Sequence, residues 1–365
     1  MLGNRTLYRY IARQFLASFI ALMVVLTAVV FLFEFVEMVR RVGSRPDATM
    51  ATAIQLTALK MPRTIDALFH FGVLFSAMFA LWRLSRSQEL VVARASGVSA
   101  WQFTLPIVLA AFAIGAVKIA ALDPMAAAAY SRFEAMEDTA IHGRTSVLDL
   151  SRGGIWLRQR TDDGVATIVA ERTGPSGVDL EQVIVFFFDG EGHFTRRIDA
   201  ERAVLGNGEW DLNDARISAA GSEAVTRRDH VTMPTDLTEE RIRERFASPE
   251  TLSFWSLPGF IDTLEATGFS SLRHRLHFQS LLADPALFAA MVFLAAAFSL
   301  RNSRRGGTLA LIVAGILSGF LIFVLSDVVT ALGLSENIPI PLAAWTPAAV
   351  CLMVGMAGLL HLEDG

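Results

Sequence analysis

Long apolar segments dominate this sequence and restrict what it can fold into. The first runs from Phe15 to Phe33, with arginines before it and glutamates after it. A helix needs about 20 mostly apolar residues to cross the bilayer core. Further segments of this kind lie at 64–82, 101–122, 281–300, 308–326 and 340–360. The sequence therefore predicts six membrane-spanning helices, the first of them an uncleaved span rather than a signal peptide.

A long polar segment separates the third span from the fourth and reads as β-structure. Short runs rich in β-branched or aromatic residues alternate there with clusters of Gly, Asn and Asp, which are turn residues. These runs are 154–157, 166–170, 183–188, 197–204, 210–218 and 224–233. Evenly spaced strands of this kind are typical of a sandwich or jelly-roll. The stretch 257–268 then predicts a helix that returns toward the membrane.

These segments define the predicted fold class and domains. The predicted fold class is an α-helical membrane protein with six transmembrane helices plus an all-β periplasmic jelly-roll domain inserted between helices 3 and 4. The predicted boundaries are 1–135 for the first three spans, 136–256 for the jelly-roll, and 257–365 for the linking helix and the last three spans. With the N-terminus inside, the short cytoplasmic pieces hold nine arginines and the opposite loops three. This bias predicts cytoplasmic termini and an external middle segment, which lies in the periplasm if the cell has two membranes.

Composition excludes several classes of function. The net charge is −4, without the basic stripe of a nucleic-acid-binding protein. The single cysteine, Cys351, excludes an intrachain disulfide and a Cys-rich metal site. Neither of the two lysines, Lys60 and Lys118, lies in a phosphate-binding G-x-x-x-x-G-K-[ST] loop. The sequence thus predicts no nucleotide site, no cofactor and no catalytic constellation on this chain.

The loop between spans two and three predicts a short cytoplasmic helix at about 86–96. Ser85 and Gln88 match an S-x-x-Q capping box, and Gly97 is placed as a stop signal. The helix mixes apolar residues with Arg86, Glu89 and Arg94. Such a helix either docks in a groove of a soluble partner or lies on the lipid surface.

Basic residues also gather at the predicted outer interface. They are Arg40, Arg41 and Arg45 after span one, Lys60 and Arg63 at the start of span two, and Arg132 beyond span three. Arginine forks bind phosphate bidentately, so this cluster either holds an anionic lipid head group or anchors the helices at the interface. Glu34 and Glu37 lie nearby as competing partners.

Ionisable residues also occur inside the apolar segments. Asp66, His70, Lys118 and Asp284 all lie near the predicted outer ends of their spans. We expect snorkelling or helix-capping roles for them there, because water is close.

The loop residues 87–97, with the sequence Ser-Gln-Glu-Leu-Val-Val-Ala-Arg-Ala-Ser-Gly, closely resemble the cytoplasmic loop of the LptF/LptG permeases, which export lipopolysaccharide. The resemblance continues through Tyr8–Ile11, Gly154–Trp156, 200–203, 210–212, 237–238, 249–253, 338–339 and Pro347 in the last span. Three spans, a β-jelly-roll and three spans is this family's architecture. The loop motif resembles the LptG branch more than the LptF branch.

The resemblance implies partners and residue roles. A permease of this family pairs with its paralogue, here LptF, on a cytoplasmic LptB ATPase dimer that binds the ATP and Mg²⁺, and LptC inserts beside the permease. Glu89 would contact the ATPase, with Arg86 and Arg94 in support. Arg40, Arg41 and Arg63 match basic positions expected to hold lipid A phosphates, and Arg132 lies near another. Glu34 departs from the pattern, since some relatives carry a base there.

Four alternatives to this interpretation remain. They are the LptF paralogue of the same complex, a different ABC-type permease acting on lipoproteins or peptides, a membrane-anchored binding or sensor module without transport, and a membrane enzyme. Only the scattered histidines of the strand-rich segment, His142, His193 and His230, support the enzyme. No nucleic acid is expected as a partner.

Overall fold

The helices of the computed structural model extend well beyond the apolar segments. The structure describes residues 2–43, 49–87, 89, 99–137, 148–151, 154–161, 164–173, 179–190, 192–206, 208–221, 224–235, 248–266, 270–300 and 308–364. The chain divides into two compact units, a helical unit (Met1–Phe133 with Arg275–Gly365) and a β unit (Glu134–His274).

The α-helices are α1 (Leu2–Val42), α2 (Met50–Arg86), α3 (Ala100–Val117), α4 (Asp123–Glu137), α5 (Leu257–Ala266), α6 (Leu272–Ser299), α7 (Thr308–Leu334) and α8 (Ile340–Asp364). A π-helical turn, Lys118–Leu122, joins α3 to α4 without a break. Six helices of the described residues, with α3 to α4 counted as one, are long and apolar enough to cross a membrane. The six predicted spans are confirmed. With 41 residues, α1 measures about 60 Å at 1.5 Å per residue, twice the thickness of the bilayer core.

The core of the helical unit is built mainly by α1, α2, α3 and α6, with smaller contributions from α7 and α8. Phe15, Val73, Phe103 and Phe288 are buried in it. Among the six candidate spans, α6 buries the largest share of its apolar stretch, whereas α1 and α7 bury the least. Much of the apolar surface of α1 and α7 is therefore left for lipid or for other helices.

The β unit contains one seven-stranded antiparallel sheet in which each strand pairs with its sequence neighbours. The strands are β1 (Leu148–Ser151), β2 (Gly154–Thr161), β3 (Gly164–Thr173), β4 (Leu180–Phe188), β5 (Phe194–Leu205), β6 (Glu209–Ala219) and β7 (Val225–Pro234). The six predicted strands correspond to β2–β7, so the all-β insertion is confirmed. Among the described strands, the order is a meander of successive hairpins, whereas a jelly-roll in the strict sense also has Greek-key crossovers.

Short turns impose this order on the sheet. Between β5 and β6, the N–H of Gly206 donates to the carbonyl of Glu209 at 2.8 Å, and Gly208 has a φ of +85°. Such tight connections pair each strand with the next one. The core of the unit lies on one face, around the fully buried Trp210. Leu264 of α5 belongs to that core, so α5 packs on the sheet.

Candidate functional site

Two of the predicted lipid-binding arginines share one carboxylate at the end of α1. Arg40 donates from Nε and Nη2 to the two oxygens of Glu37, at 2.9 Å each. Arg41 donates from Nε to Oε1 of the same carboxylate at 3.0 Å. All three side chains are at least one third exposed. Exposed ion pairs of this kind contribute little to stability, so a phosphate is able to compete with Glu37 for both guanidinium groups.

An ion pair connects the C-terminal part of α1 to α2. Lys60 Nζ donates to Glu34 Oε2 at 2.7 Å, and both side chains are largely buried, with 25% and 19% exposed. Arg63 lies one helical turn after Lys60 on the same face of α2. This pair brings the helix that carries Arg40 and Arg41 against the helix that carries Arg63. Arg132 is exposed on α4, and its role stays a prediction.

A second group of charges lies inside the helical unit. Lys118 begins the π-helical turn and is only 1% exposed. Its Nζ contacts a carboxylate oxygen of Asp284 on α6 and lies 3.1 Å from Oδ1 of Asp66 on α2. His70, one turn after Asp66, places Nε2 at 3.3 Å from Oδ1 of Asp284. We call these four residues the buried charge network.

The expectation of snorkelling was wrong for Lys118. Its ammonium reaches two carboxylates inside the helical unit instead of water, because an isolated buried charge is far less stable than a paired one. The sequence carried a signal for this arrangement. An ammonium and two carboxylates occupy the same predicted depth in three different spans, and ionisable groups within spans usually face the interior and pair with one another.

Interruptions in two helices surround the buried charge network. A Cβ added to Gly115 of α3 would lie 2.6 Å from Cα of Pro285, so the backbones of α3 and α6 are in contact one residue after Asp284. Pro285 has no N–H to donate within α6. The π-helical turn after α3 widens the helix at Lys118, and such turns recur at functional sites.

A cavity of about 200 Å³ lies between α2, α6 and α7, next to the buried charge network. His70 contributes to its wall together with Ser326 and Asp327 of α7. The remaining lining residues are apolar or small: Ala67, Phe71, Met291, Gly319, Ile322 and Phe323.

The predicted cytoplasmic contact residues are only partly within the described part of the chain. Arg86 is the last residue of α2, and its guanidinium carbon lies 5.4 Å from the centroid of the Trp82 ring. Glu89 is exposed and accepts a hydrogen bond from the Tyr10 hydroxyl of α1 at 3.5 Å. Arg94 and most of the predicted helix at 86–96 lie outside the described residues.

The predicted capping box at Ser85 was wrong. Ser85 lies within the last turn of α2, and Ser87 caps the C-terminus of that helix through its N–H to the carbonyl of Arg83. A capping box is present further along, where Ser99 and Gln102 exchange hydrogen bonds at the start of α3. The apolar pattern ends before α2 does, so polar residues of its last turn resembled a new start.

The described residues include no group of three or more His, Cys, Asp or Glu placed to hold a metal ion. The fold and the charged groups define a multi-pass membrane protein with a β unit inserted in its chain and basic side chains at the ends of its first helices.

Comparison with known proteins identifies the family. The profile of the lipopolysaccharide export system permeases LptF/LptG matches residues 9–361, and the chain belongs to this family. It is 25% identical over 360 residues to the lipopolysaccharide export system permease protein LptG of Haemophilus influenzae, covering 96% of both chains. The LptG protein of Escherichia coli K12 is 23% identical over 357 residues, which is 95% of this chain and 96% of that protein.

Proposed function

We propose that this chain is a permease subunit that exports lipopolysaccharide from the inner membrane. The match of 9–361 to a family of lipopolysaccharide export permeases carries the proposal. The six apolar helices and the β unit inserted between the third and the fourth support it. The chain itself acts as a non-enzymatic transport subunit.

Within the family, we place the chain in the LptG branch. The relatives from Haemophilus influenzae and Escherichia coli both carry that name, and each aligns over nearly the whole chain. The loop motif at 87–97 supports the same branch.

The proposed complex contains LptF as the second permease, an LptB dimer that holds ATP and Mg²⁺, and LptC. Leaving the bilayer exposes the acyl chains of the lipid to water at about 0.8 kcal/mol per CH₂, so extraction requires an external energy source. Glu89 is exposed next to the end of α2 and is suited to contact the ATPase, with Arg86 and Arg94. This arrangement puts both termini in the cytoplasm and the β unit in the periplasm.

We assign the lipid A phosphates to Arg40, Arg41 and Arg63, with Arg132 as a further contact. Each of the first three lies beside a carboxylate in the structure, so binding exchanges that carboxylate for a phosphate. Charge-assisted arginine–phosphate bonds are short and strong, which favours this exchange for a doubly phosphorylated head group.

Purification of the full-length chain from its native membrane, followed by mass spectrometry of bound proteins and lipids, tests the proposal. We expect an ATPase, a second permease of the same family and lipopolysaccharide. A complex that lacks both an ATPase and lipopolysaccharide would contradict it. An ATPase found together with lipoproteins or peptides would favour the rival ABC-type permease, whereas LptG as the co-purified permease would reassign this chain to the LptF branch.

The variant R40Q/R41Q/R63Q separates the rival permease from the proposed one. We expect it to abolish crosslinking of lipopolysaccharide to α1. Retention of the crosslink would favour a permease that does not bind its substrate through these three arginines. The variant R196Q/R197Q/R202Q is the matched control, because it removes the same number of arginines from β5.

A further inference from the structure

Asp66 connects Lys118 of the buried charge network to Arg63, one of the predicted phosphate-binding arginines. Its Oδ1 is 3.1 Å from Nζ of Lys118, and its Oδ2 is 3.6 Å from Nη1 of Arg63. Lys118 also contacts Asp284. One carboxylate is therefore shared between a buried ammonium and a guanidinium that is 24% exposed.

The buried ammonium has the stronger hold on Asp66. Because Lys118 is 1% exposed, separating it from its carboxylates would leave a charge without water or partner. Arg63 lies nearer to solvent, and 3.6 Å is long for a charge-assisted hydrogen bond, which is about 2.7–2.9 Å. The other outer pairs are closer: Lys60 with Glu34 at 2.7 Å, and Arg40 and Arg41 with Glu37 at 2.9 and 3.0 Å.

The fold fixes the position of this ammonium. Lys118 lies in the π-helical turn, three residues after Gly115, where α3 contacts the backbone of Pro285. Asp284 precedes that proline on α6. The contact of the two helices thus sets the separation of Lys118 and Asp284, and Asp66 of α2 completes the group.

We propose that Lys118 is a positioning residue for phosphate binding: by holding Asp66, it keeps this carboxylate from neutralising Arg63. Two cations and two carboxylates balance in the group formed by Arg63, Asp66, Lys118 and Asp284. If the buried cation is removed together with Asp284, Asp66 has Arg63 as its cationic partner within this group and closes on it. A phosphate of the substrate then competes with a full ion pair. This inference rests on the proposed function, in which Arg63 contacts lipid A.

The variant K118M/D284N provides the test, because it removes one buried cation and one buried anion together. The probe is bis-phosphorylated lipid A, added to the full-length chain purified with its co-purifying proteins, and lipid A stripped of both phosphates is the control ligand. We expect the affinity for the phosphorylated probe to fall about tenfold, as for the loss of one charge-assisted contact. The affinity for the stripped lipid should not change.

Adding D66N to this variant separates positioning from a structural effect. The triple variant removes the carboxylate that closes on Arg63, so we expect the affinity for phosphorylated lipid A to return. R63Q should cause the same loss alone, and combining it with K118M/D284N should cause no further loss. D66N alone leaves Lys118 paired with Asp284 and should bind no more weakly than the unmodified chain.

The outcomes distinguish this inference from the proposed function. If R63Q leaves phosphate binding unchanged, the assigned role of Arg63 and the inference both fail. If R63Q weakens binding but K118M/D284N does not, only the inference fails. Equal losses for both lipids, or no recovery on adding D66N, would make the network merely structural and overturn the inference. Should K118M/D284N not fold, weaker phosphate binding by D66N alone would overturn it as well.

Discussion

At the scale of single side chains, the basic residues of the site differ in the carboxylates with which they pair. Glu37 accepts hydrogen bonds from both Arg40 and Arg41, and Glu34 pairs with Lys60 across α1 and α2. A count of positive residues therefore overstates the charge presented to a ligand. The effective charge depends on which carboxylates an anion displaces.

Replacing Glu37 tests this exchange directly. The variant E37Q removes the carboxylate that competes with phosphate for Arg40 and Arg41, so we expect tighter binding of bis-phosphorylated lipid A, by about threefold to tenfold. Titration of the purified complex with this lipid measures the change. E34Q is the comparison, because it leaves both arginines with Glu37; an equal gain in E34Q would show a general charge effect instead of exchange at Glu37.

Reversing the charge of Glu89 tests the proposed contact with the ATPase. An ATPase surface that binds the Glu89 carboxylate is expected to be basic, so an arginine at this position would be repelled by it. We therefore expect E89R to lose the co-purifying ATPase and its lipid-stimulated ATP hydrolysis. Quantitative mass spectrometry of the purified chain gives the measurement. The hydrogen bond from Tyr10 is the local alternative, and Y10F is the control that removes it; loss of the ATPase in Y10F would show that Glu89 acts through α1.

The residue types of the site were predictable from the sequence, but most of their partners were not. Arginine forks near a membrane surface predict anion binding whatever their neighbours are. The pairing of Lys118 with Asp66 and Asp284 depends on how three helices pack, and the distance of each residue from the end of its apolar segment carried no such information. Apolarity alone placed these groups near water, whereas the packing of α2, α3 and α6 encloses them.

At the scale of elements, the ends of the helices and the contacts between helices decide how the charged residues of the site are arranged. Apolar runs located every span, yet α2 continues to Arg86, and α3 continues through a π-helical turn into α4. A polar helix end continues the helix without apolar residues, and the π-helical turn lies inside the third apolar segment, so neither leaves a mark in an apolar pattern. In the β unit the turn residues carried more information, since they predicted six of the seven strands.

The crossing of α3 and α6 depends on the absence of a side chain at Gly115. A leucine there would meet the backbone of Pro285, since even a Cβ would lie 2.6 Å from its Cα. We expect G115L to lower the free energy of unfolding by about 1–3 kcal/mol and to displace Lys118, three residues later. Thermal unfolding of the purified chain measures this. A116L, on an exposed position of the same helix, should change the midpoint little, and equal effects of the two variants would contradict the tight crossing.

At the scale of the whole molecule, hydrophobicity and turn spacing were sufficient to predict the six spans and the all-β insertion. The six spans follow from the length of apolar segment needed to cross a bilayer. The all-β insertion follows from the spacing of turn residues between strands. The meander did not follow, because evenly spaced strands are compatible with many orders. The substrate did not follow from composition either; it came from the loop motif and the family.

The orientation of the chain in the membrane gives the last prediction. Short-loop arginines favour cytoplasmic termini, which puts the β unit on the opposite side from the end of α2. The native Cys351 is buried, so a C351A background permits single-cysteine labelling. In cells with a permeable outer membrane, we expect a membrane-impermeant maleimide to label T226C on the exposed strand β7, and to label S87C only after lysis. Labelling of S87C before lysis, with protection of T226C, would invert the proposed topology and remove the outer location of Arg40, Arg41 and Arg63.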